Sequence, residues 1–348
     1  MKVSIGVLAY NEENTIASTI KQILLQNVFD LSDCEIQLII VANGCTDKTA
    51  LVAEKVLQNY KLIKNFSYNV VNLNKAGKSN AWNEYVHTYS WSNAEYYVLL
   101  DADIEFGSKN VIKRLIEALS ENPQAHVSVD QIRKDVEKET KKGLFAYISL
   151  KLSDSKKSNT HKAIAGSLYC VKGNIIRKIY MPIGLPVEDG FLRAMIVTDN
   201  FTHMDNNSRI EVASDVCHYF QAILSPLKLY KHEKRLVIGT VINSVIYNHL
   251  WANVKASPLD AGQIIKGLNV KDENWVVQLI EKYKNRHGFW LVPTRVFTKH
   301  TVNLIMSDRS IMTKLLLLPI ALSASLILMI ITLDVNLFFR KNNGIGHW

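Results

Sequence analysis

Two aspartates at the end of an apolar run are the residues of this chain best suited to bind a cation. The segment Glu95-Tyr-Tyr-Val-Leu-Leu-Asp-Ala-Asp103 places Asp101 and Asp103 directly after a strand-like stretch. Aspartate is disfavoured inside strands, so the pair is expected just past the strand's carboxyl end, where ligands bind in open α/β sheets. Carboxylates there suit a hard cation such as Mg²⁺ or Mn²⁺, which can hold a diphosphate. The same pattern also occurs in plain loops and helix caps.

Two polar loops follow the first two strand-like runs and carry side chains that suit a nucleotide base. In Ala9-Tyr-Asn-Glu-Glu13, Tyr10 is able to stack near a base and Glu12 to hydrogen-bond its edge. In Ala42-Asn-Gly-Cys-Thr-Asp47, the amide of Asn43 is able to read an amide–imide edge such as that of uracil. The alternatives are a helix N-terminus for the first loop and a simple turn for the second.

Two further elements offer charge at the expected site. In Asn74-Lys-Ala-Gly-Lys-Ser-Asn-Ala-Trp-Asn83, Gly77 permits close backbone approach and Lys78 offers a charge to phosphate, although the spacing is not that of a P-loop. Glu188-Asp189 follows a loop that contains two prolines. A carboxylate with its usual pKa near 4 is ionised at neutral pH and is able to accept a proton from a hydroxyl. The alternative is a helix N-terminus, where the helix dipole favours acidic residues.

Alternating strand and helix patterns predict the scaffold that would position these residues. Strand-like runs at 3–8, 36–41, 68–73 and 96–100 are separated by helical patterns. Repeated β-α units of this kind predict an α/β fold, with a mainly parallel sheet and helices on both faces. After residue 125 the rhythm loosens, and strand-like runs at 126–132 and 163–171 flank a lysine-rich stretch.

In this order and at these strand ends, the polar elements resemble those of the family 2 glycosyltransferases, which have the GT-A (Rossmann-like) fold. The matching segments are 3–13, 39–49, 77–83, Leu99-Leu-Asp-Ala-Asp103 and Glu188-Asp189. The resemblance covers about residues 1–225. It implies an inverting, metal-dependent transfer of a sugar from a nucleoside-diphosphate sugar, with a UDP-sugar expected, to a hydroxyl of an acceptor.

The resemblance also implies roles for individual residues. Ala9, Glu12 and Asn43 fall where the family contacts base and ribose, with Tyr10 beside them. Lys78 and Asp101 fall near the diphosphate, Asp103 falls on the Mg²⁺ or Mn²⁺ ion together with Asp101, and Asp189, next to Glu188, falls on the catalytic base. Gly166-Ser-Leu-Tyr169 falls in the segment that lines the acceptor site. His218 is a candidate third metal ligand, with a structural histidine as the alternative.

The sequence departs from the family pattern at two places. Ala42-Asn43 stands where the base-contacting turn usually carries aspartate, which weakens the inference of uridine over another base. Processive members carry Gln-x-x-Arg-Trp after the catalytic base in the chain, whereas this chain has His232-Glu-Lys-Arg235-Leu236. Arg235 remains a candidate diphosphate contact, and a basic amphipathic helix on a membrane surface is the alternative for this stretch. The departure favours transfer of one or a few sugars over synthesis of a long polymer.

Composition limits the partners. The 348-residue chain carries a formal charge of +9, which favours an anionic partner such as a phosphorylated substrate or anionic lipid. Its lysines are not interleaved with aromatic residues in a compact motif, so no nucleic-acid partner is expected. Its four cysteines form no Cys-x-x-Cys pair, which argues against a zinc site or disulfide framework and fits reduced cytosolic thiols.

The C-terminal third predicts a membrane attachment. Residues 315–333 are uncharged and mostly apolar, and as a helix they would span about 28 Å, close to the hydrocarbon core of a bilayer. A buried soluble helix is the alternative. We therefore expect a GT-A domain at 1–225, a helical membrane-interface region at 226–310, and a transmembrane or membrane-anchoring helix with a short tail at 311–348. The catalytic part would be cytoplasmic, with membrane lipid and a lipid-linked or saccharide acceptor as partners in glycan or polysaccharide biosynthesis.

Two other functions fit parts of the pattern. A sugar nucleotidyltransferase would need a glycine-rich, basic loop after the first strand, and Ala9-Tyr-Asn-Glu-Glu13 has neither feature. A catalytically silent, nucleotide-binding membrane scaffold would keep the fold but would not need Asp101, Asp103 and Asp189.

Overall fold

The computed structural model describes residues 1–60, 63–138 and 162–341. Within these residues, eight strands form one sheet in the order β3-β2-β1-β4-β7-β6-β8-β5. The strands are β1 (Lys2–Ala9), β2 (Glu35–Asn43), β3 (Phe66–Leu73), β4 (Tyr96–Asp101), β5 (Glu105–Phe106), β6 (Val127–Lys134), β7 (Leu168–Lys172) and β8 (Ile210–Phe220).

Helices cover the sheet and extend beyond it at the C-terminal end. They are α1 (Ile16–Leu24), α2 (Thr49–Leu57), α3 (Lys78–Glu84), α4 (Val111–Glu121), α5 (Gly173–Ile176), α6 (Glu188–Val197), α7 (Pro226–Ala256), α8 (Ala261–Lys271), α9 (Trp275–His287), α10 (Arg295–Met306) and α11 (Ile311–Lys341). The mainly parallel sheet with helices on its faces confirms the fold class expected from the sequence.

The register of the parallel strands brings the polar loops together. β1 pairs with β2 and with β4 in parallel, with Ala9 opposite Ala42 and Leu8 opposite Asp101. The loops after β1, β2 and β4 therefore leave the sheet side by side at its carboxyl edge. β7 runs antiparallel to β4, so the chain that enters β7 arrives at this same edge.

Apolar side chains on the two faces of the sheet form separate core clusters. Val3, Ile5 and Val7 of β1 face one cluster, which includes residues of α1 and α4. Trp82 and Tyr85 belong to the other, which continues into the helices after residue 225. Because both faces are covered, the strands of the parallel half read as nearly continuous apolar runs in the sequence.

The structure extends the sequence expectations after residue 125. The run expected at 163–171 forms a strand only at Leu168–Lys172, and the lysine-rich residues 139–161 lie outside the described part of the chain. β8 was not predicted, because Glu211 and Asp215 interrupt its apolar pattern. Its pairing with β6 is parallel and irregular between Asp130 and Gln131.

α11 is long and apolar enough to cross a membrane by length and composition, and among the described residues it alone is so. Its two ends have different surroundings. Large apolar residues of its first turns are exposed, with Leu316 74% and Ile320 65% accessible. Val335 and Phe339, near its end, are fully buried against the rest of the protein.

The contact between Gly6 and Tyr85 gives a test of the packing. A Cβ atom on Gly6 would lie 2.5 Å from the Tyr85 ring, which is fully buried and cannot retreat. We expect Gly6→Ala to lower the free energy of unfolding by about 1–3 kcal/mol through overpacking, as measured by urea denaturation. Gly267→Ala in α8 is the control, since nothing lies within 4 Å of the added Cβ. Equal stabilities of the two variants would contradict the packing described here.

Candidate active site

A lysine between two carboxylates lies at the centre of the carboxyl edge of the sheet. Lys78 Nζ is 2.6 Å from Asp101 Oδ1 and 2.8 Å from Glu188 Oε1. It also donates to the backbone oxygen of Gly166 at 3.4 Å. The first residue of α3, the last residue of β4 and the first residue of α6 are thereby joined by one cation.

These three charged groups shift one another's pKa values. Burial lowers the pKa of Lys78, but the two carboxylates outweigh it and hold that pKa above its ordinary value. Burial raises the pKa of Glu188, but Lys78 outweighs it, so Glu188 has a pKa below its usual range. For Asp101 burial prevails over Lys78 and the pKa is raised. At neutral pH the cluster contains a firmly charged ammonium and an ionised Glu188.

Asp189 follows in the first turn of α6 and has a different environment. Its pKa is raised, first by burial and second by the charge of Glu188. Its Oδ1 accepts a hydrogen bond from the backbone N–H of Gly190 at 2.6 Å. Arg235 of α7 is near enough to lower the pKa of both acidic residues. The pKa values of the two adjacent carboxyl groups are therefore shifted in opposite directions, down for Glu188 and up for Asp189.

Gly166 lets the chain pass close to this cluster. A Cβ atom at this position would lie 2.8 Å from Glu188 Oε1 and 3.2 Å from Lys78 Nζ. The neighbouring Ser167 accepts a hydrogen bond from the backbone N–H of Asp101 through its backbone oxygen, at 3.0 Å. Tyr169, the last residue of the segment expected to line the acceptor site, is buried and accepts a hydrogen bond from Trp82 Nε1 at 2.8 Å.

The loops after β1 and β2 are tied together by hydrogen bonds. The N–H of Glu12 donates to Thr49 Oγ1 at 2.7 Å, and the N–H of Thr46 donates to Asn11 Oδ1 at 2.8 Å. Ala9 is buried beneath these loops, while Tyr10 is exposed. Asn43 is buried, and its Oδ1 has no hydrogen-bond partner in the described part of the chain. An amide oxygen without a partner suits recognition of a ligand N–H.

Acidic side chains border the site on the side of the Asp101-Ala-Asp103 turn. The pKa of Glu12 is raised by burial and further by the charges of Asp103, Asp101 and Asp47. Asp103 is exposed, and no hydrogen bond or ion pair involving its side chain occurs within residues 1–60, 63–138 and 162–341. Its carboxylate is therefore able to take a cation without breaking an existing contact.

His218 is held on both sides of its ring. Nδ1 lies 2.7 Å from Asp130 Oδ1, and Nε2 lies 2.8 Å from Ser167 Oγ. These contacts agree with the structural alternative, and a role as metal ligand stays a prediction. No group of three or more His, Cys, Asp or Glu side chains close enough to hold a metal is found among the residues that the structure describes.

The structure brings most of the candidate residues to one edge, but to different parts of it. Lys78, Asp101 and Glu188 are in contact, with Asp189 next to Glu188. Glu12, Asp103 and Arg235 lie within electrostatic reach of that group. Ala9, Tyr10 and Asn43 belong to the neighbouring strand ends, and His218 contacts Ser167. Sequence reasoning included Ser167 only as a member of the Gly166-Ser-Leu-Tyr169 segment and missed Asp130, which lies far along the chain from every matched segment.

Comparison with known proteins identifies the family of this chain and proteins with a similar fold. The family model described as Glycosyl transferase family 2 matches residues 4–178. The mannosyltransferase PcManGT from Pyrobaculum calidifontis, solved in complex with GDP-Man and Mn²⁺, is 14% identical over 98% of this chain and 86% of its own, with a TM-score of 0.50. Glucosyl-3-phosphoglycerate synthase from Mycobacterium tuberculosis, solved with Mn²⁺, UDP-glucose and phosphoglyceric acid, is 18% identical over 71% and 79%, with a TM-score of 0.47. No curated protein matches the sequence.

Removal of the central cation should destabilise the protein in a pH-dependent way. We expect Lys78→Met to cost about 1–3 kcal/mol at neutral pH, because Asp101 and Glu188 then face each other unpaired while solvent still screens part of the site. The stabilisation that Lys78 gives to ionised Glu188 is fully present above the unfolded-state pKa of about 4.3 and is lost as pH falls through the lower folded-state pKa.

Denaturation of wild type and variant between pH 3 and 7 measures the effect. Lys75→Met is the control, since its ion pair with Glu273 is exposed and is worth at most about 1 kcal/mol. A stability difference for Lys78→Met that stays constant over this pH range would contradict the assignment.

Proposed function

Because the chain belongs to glycosyl transferase family 2, we propose that it moves a sugar from a nucleoside-diphosphate sugar to a hydroxyl of an acceptor, with inversion at the anomeric carbon. The observation that supports this most is Asp189, a carboxyl group of raised pKa placed directly beside the Lys78–Glu188–Asp101 cluster. Asp189, which is able to act as a base, and Lys78, which is able to contact a diphosphate, therefore lie at the same edge of the sheet.

The residues around Asp103 fit a Mg²⁺ or Mn²⁺ ion. These cations, Mg²⁺ in particular, are commonly bound by one or two carboxylates together with substrate phosphates, so a preformed protein cage is not required. Asp103 is exposed, and Asp101 lies two residues before it. A metal-ligating histidine usually has its second ring nitrogen bonded to a carboxylate, as Nδ1 of His218 is to Asp130, but ligation through Nε2 would require its contact with Ser167 Oγ to break. When bound, the ion would neutralise charge on the leaving diphosphate.

The other side chains of the site have separate proposed roles in proton transfer, diphosphate binding and base recognition. Asp189 accepts the proton of the acceptor hydroxyl as that oxygen attacks, which the raised pKa favours. Lys78 holds Glu188 ionised and places positive charge where a diphosphate would lie, and Arg235 adds a second cation from α7. Asn43, Glu12 and Tyr10 border the base site. The unpartnered Oδ1 of Asn43 suits an N–H donor such as that of uracil, so a UDP-sugar is the first donor to test.

We infer further that the helical region attaches the enzyme to a membrane and that the acceptor is lipid-linked. The first turns of α11 expose Leu315, Leu316 and Ile320. The first turns of α7, near the site through Arg235, expose Leu227 next to Lys228. Exposed leucines beside lysines suit the boundary between headgroups and hydrocarbon. A protein attached to a membrane in this way would meet lipid-linked acceptors directly.

Substitution of the proposed base tests the reaction. We expect Asp189→Asn to reduce transfer at least 10³-fold, because the amide cannot accept the proton, while nucleotide binding changes little. The transfer rate is measured as product formation from UDP-sugars or GDP-mannose with Mn²⁺ and a lipid-linked acceptor. Nucleotide binding is measured by the thermal shift that the nucleotide causes.

Asp103→Ala is the counterpart variant in the same experiment. It should lose the Mn²⁺-dependent part of the thermal shift, because the exposed carboxylate no longer meets the ion. Wild-type transfer rates in both variants would refute the mechanism. Nucleotide binding without transfer by the wild-type protein, across all donors and acceptors tested, would instead favour a catalytically silent scaffold.

The membrane attachment has its own test. The wild-type protein should sediment together with vesicles that contain phosphatidylserine. Leu316→Glu should lower its affinity for these vesicles by about tenfold or more, since a charge on that face opposes insertion. Val270→Glu is the control, because Val270 is also strongly exposed but belongs to α8. Equal loss in both variants, or none in Leu316→Glu, would argue against attachment through α11.

A further inference from the structure

α7 lies against the short segment that carries the two acidic residues of the site. Asn243 Nδ2 donates to the backbone oxygen of Val187 at 3.1 Å, and the Tyr247 hydroxyl donates to the backbone oxygen of Gly190 at 2.9 Å. The two accepting carbonyls lie immediately before and immediately after Glu188-Asp189. Asn243 and Tyr247 are four residues apart and therefore share one face of the helix.

The close approach of α7 depends on a glycine one turn earlier on the same face. A Cβ atom on Gly239 would lie 2.3 Å from Val187 Cγ2. Further along, the Tyr247 ring packs against Phe191 and Phe201, with ring centroids 5.9 and 5.5 Å away. Apolar packing thus holds the Tyr247 ring in place, with its hydroxyl at hydrogen-bond distance from the Gly190 oxygen.

Asp189 and Tyr247 are also close enough to influence each other. The pKa of Tyr247 is raised by burial and then by the charge of Asp189. The hydroxyl therefore stays protonated and remains a hydrogen-bond donor at all ordinary pH values. Arg235, two turns before Asn243 on α7, brings positive charge to the same segment.

We propose that Asn243 and Tyr247 are positioning residues. They hold the backbone at Val187, just before the acidic pair, and at Gly190, just after it, and so fix the direction of the Asp189 carboxylate. This inference rests on the proposed role of Asp189 as base. The first N–H groups of a helix have no intrahelical partner, so the first turn is held less firmly than the interior. The bonds from α7 to the carbonyl oxygens of Val187 and Gly190 add a constraint at this turn. A base displaced by about 1 Å is expected to cost up to 10²-fold in rate.

Tyr247→Phe tests the proposal with little risk to folding, since the ring contacts remain and only the hydroxyl is lost. We expect kcat to fall about tenfold with the KM for the donor unchanged. Burial holds the pKa of Asp189 high, so a looser segment that admits water should also move the acid limb of the kcat profile to lower pH. A purely structural role would produce neither the unchanged KM nor the shift of the limb.

Amide hydrogen exchange provides a readout that does not need activity. Tyr247→Phe and Asn243→Leu should each raise exchange in a peptide that covers 187–192, and not in peptides from β1 or β2. Thr240→Val is the control, because Thr240 is exposed on α7 and its hydroxyl bonds to Leu236 of its own helix. It should leave kcat and exchange unchanged.

The outcomes separate this inference from the proposed function. Unchanged exchange at 187–192 in both Tyr247→Phe and Asn243→Leu would overturn the positioning role, whatever the activity. Unchanged kcat and acid limb in an active Tyr247→Phe enzyme would overturn it as well. A wild-type protein without any transferase activity would defeat the proposed function, while the exchange result would still decide whether α7 holds the segment.

Discussion

The ion pairs of Lys78 are the interaction on which the site depends. Asp101 ends a central strand and Glu188 begins a helix far along the chain. Without a cation between them, the two carboxylates would repel each other. A single ammonium between them makes the meeting of these elements favourable. Because partly buried charges are costly unless they are paired, this contact constrains the position of α3 relative to β4 and α6 in addition to apolar packing.

The same interaction separates the tasks of two neighbouring carboxyl groups. Lys78 contacts Glu188 directly and lowers its pKa, whereas Asp189 feels burial and the negative charge of Glu188, and its pKa rises. Adjacent acids with opposite shifts are a sign of divided roles in an active site. One carboxylate is paired with the Lys78 ammonium, and the other is the proposed base.

The helices after residue 225 belong to the site and to the apolar surface at once. α7 contacts the segment around Asp189 through Asn243 and Tyr247. Its earlier turns contact α11, where Lys234 Nζ and the Tyr230 hydroxyl lie 2.7 and 2.6 Å from Asp334 Oδ2. One helix therefore connects the proposed base to the helix whose apolar residues are exposed, so the region expected to meet a membrane also contacts the segment that carries Asp189.

The sequence by itself determined the α/β class, the strand ends that carry Asp101 and Asp103, and the candidates Lys78 and Asp189, because alternation of apolar runs and polar loops is a local property. Only the tertiary structure decided which of these touch. Asn243, Tyr247 and the Asp130 contact of His218 could not be found in advance, since their partners are 56, 57 and 88 residues away in the chain. Hydrogen bonds of that range leave no periodic trace in sequence, because they depend on how separate elements pack rather than on how each one forms.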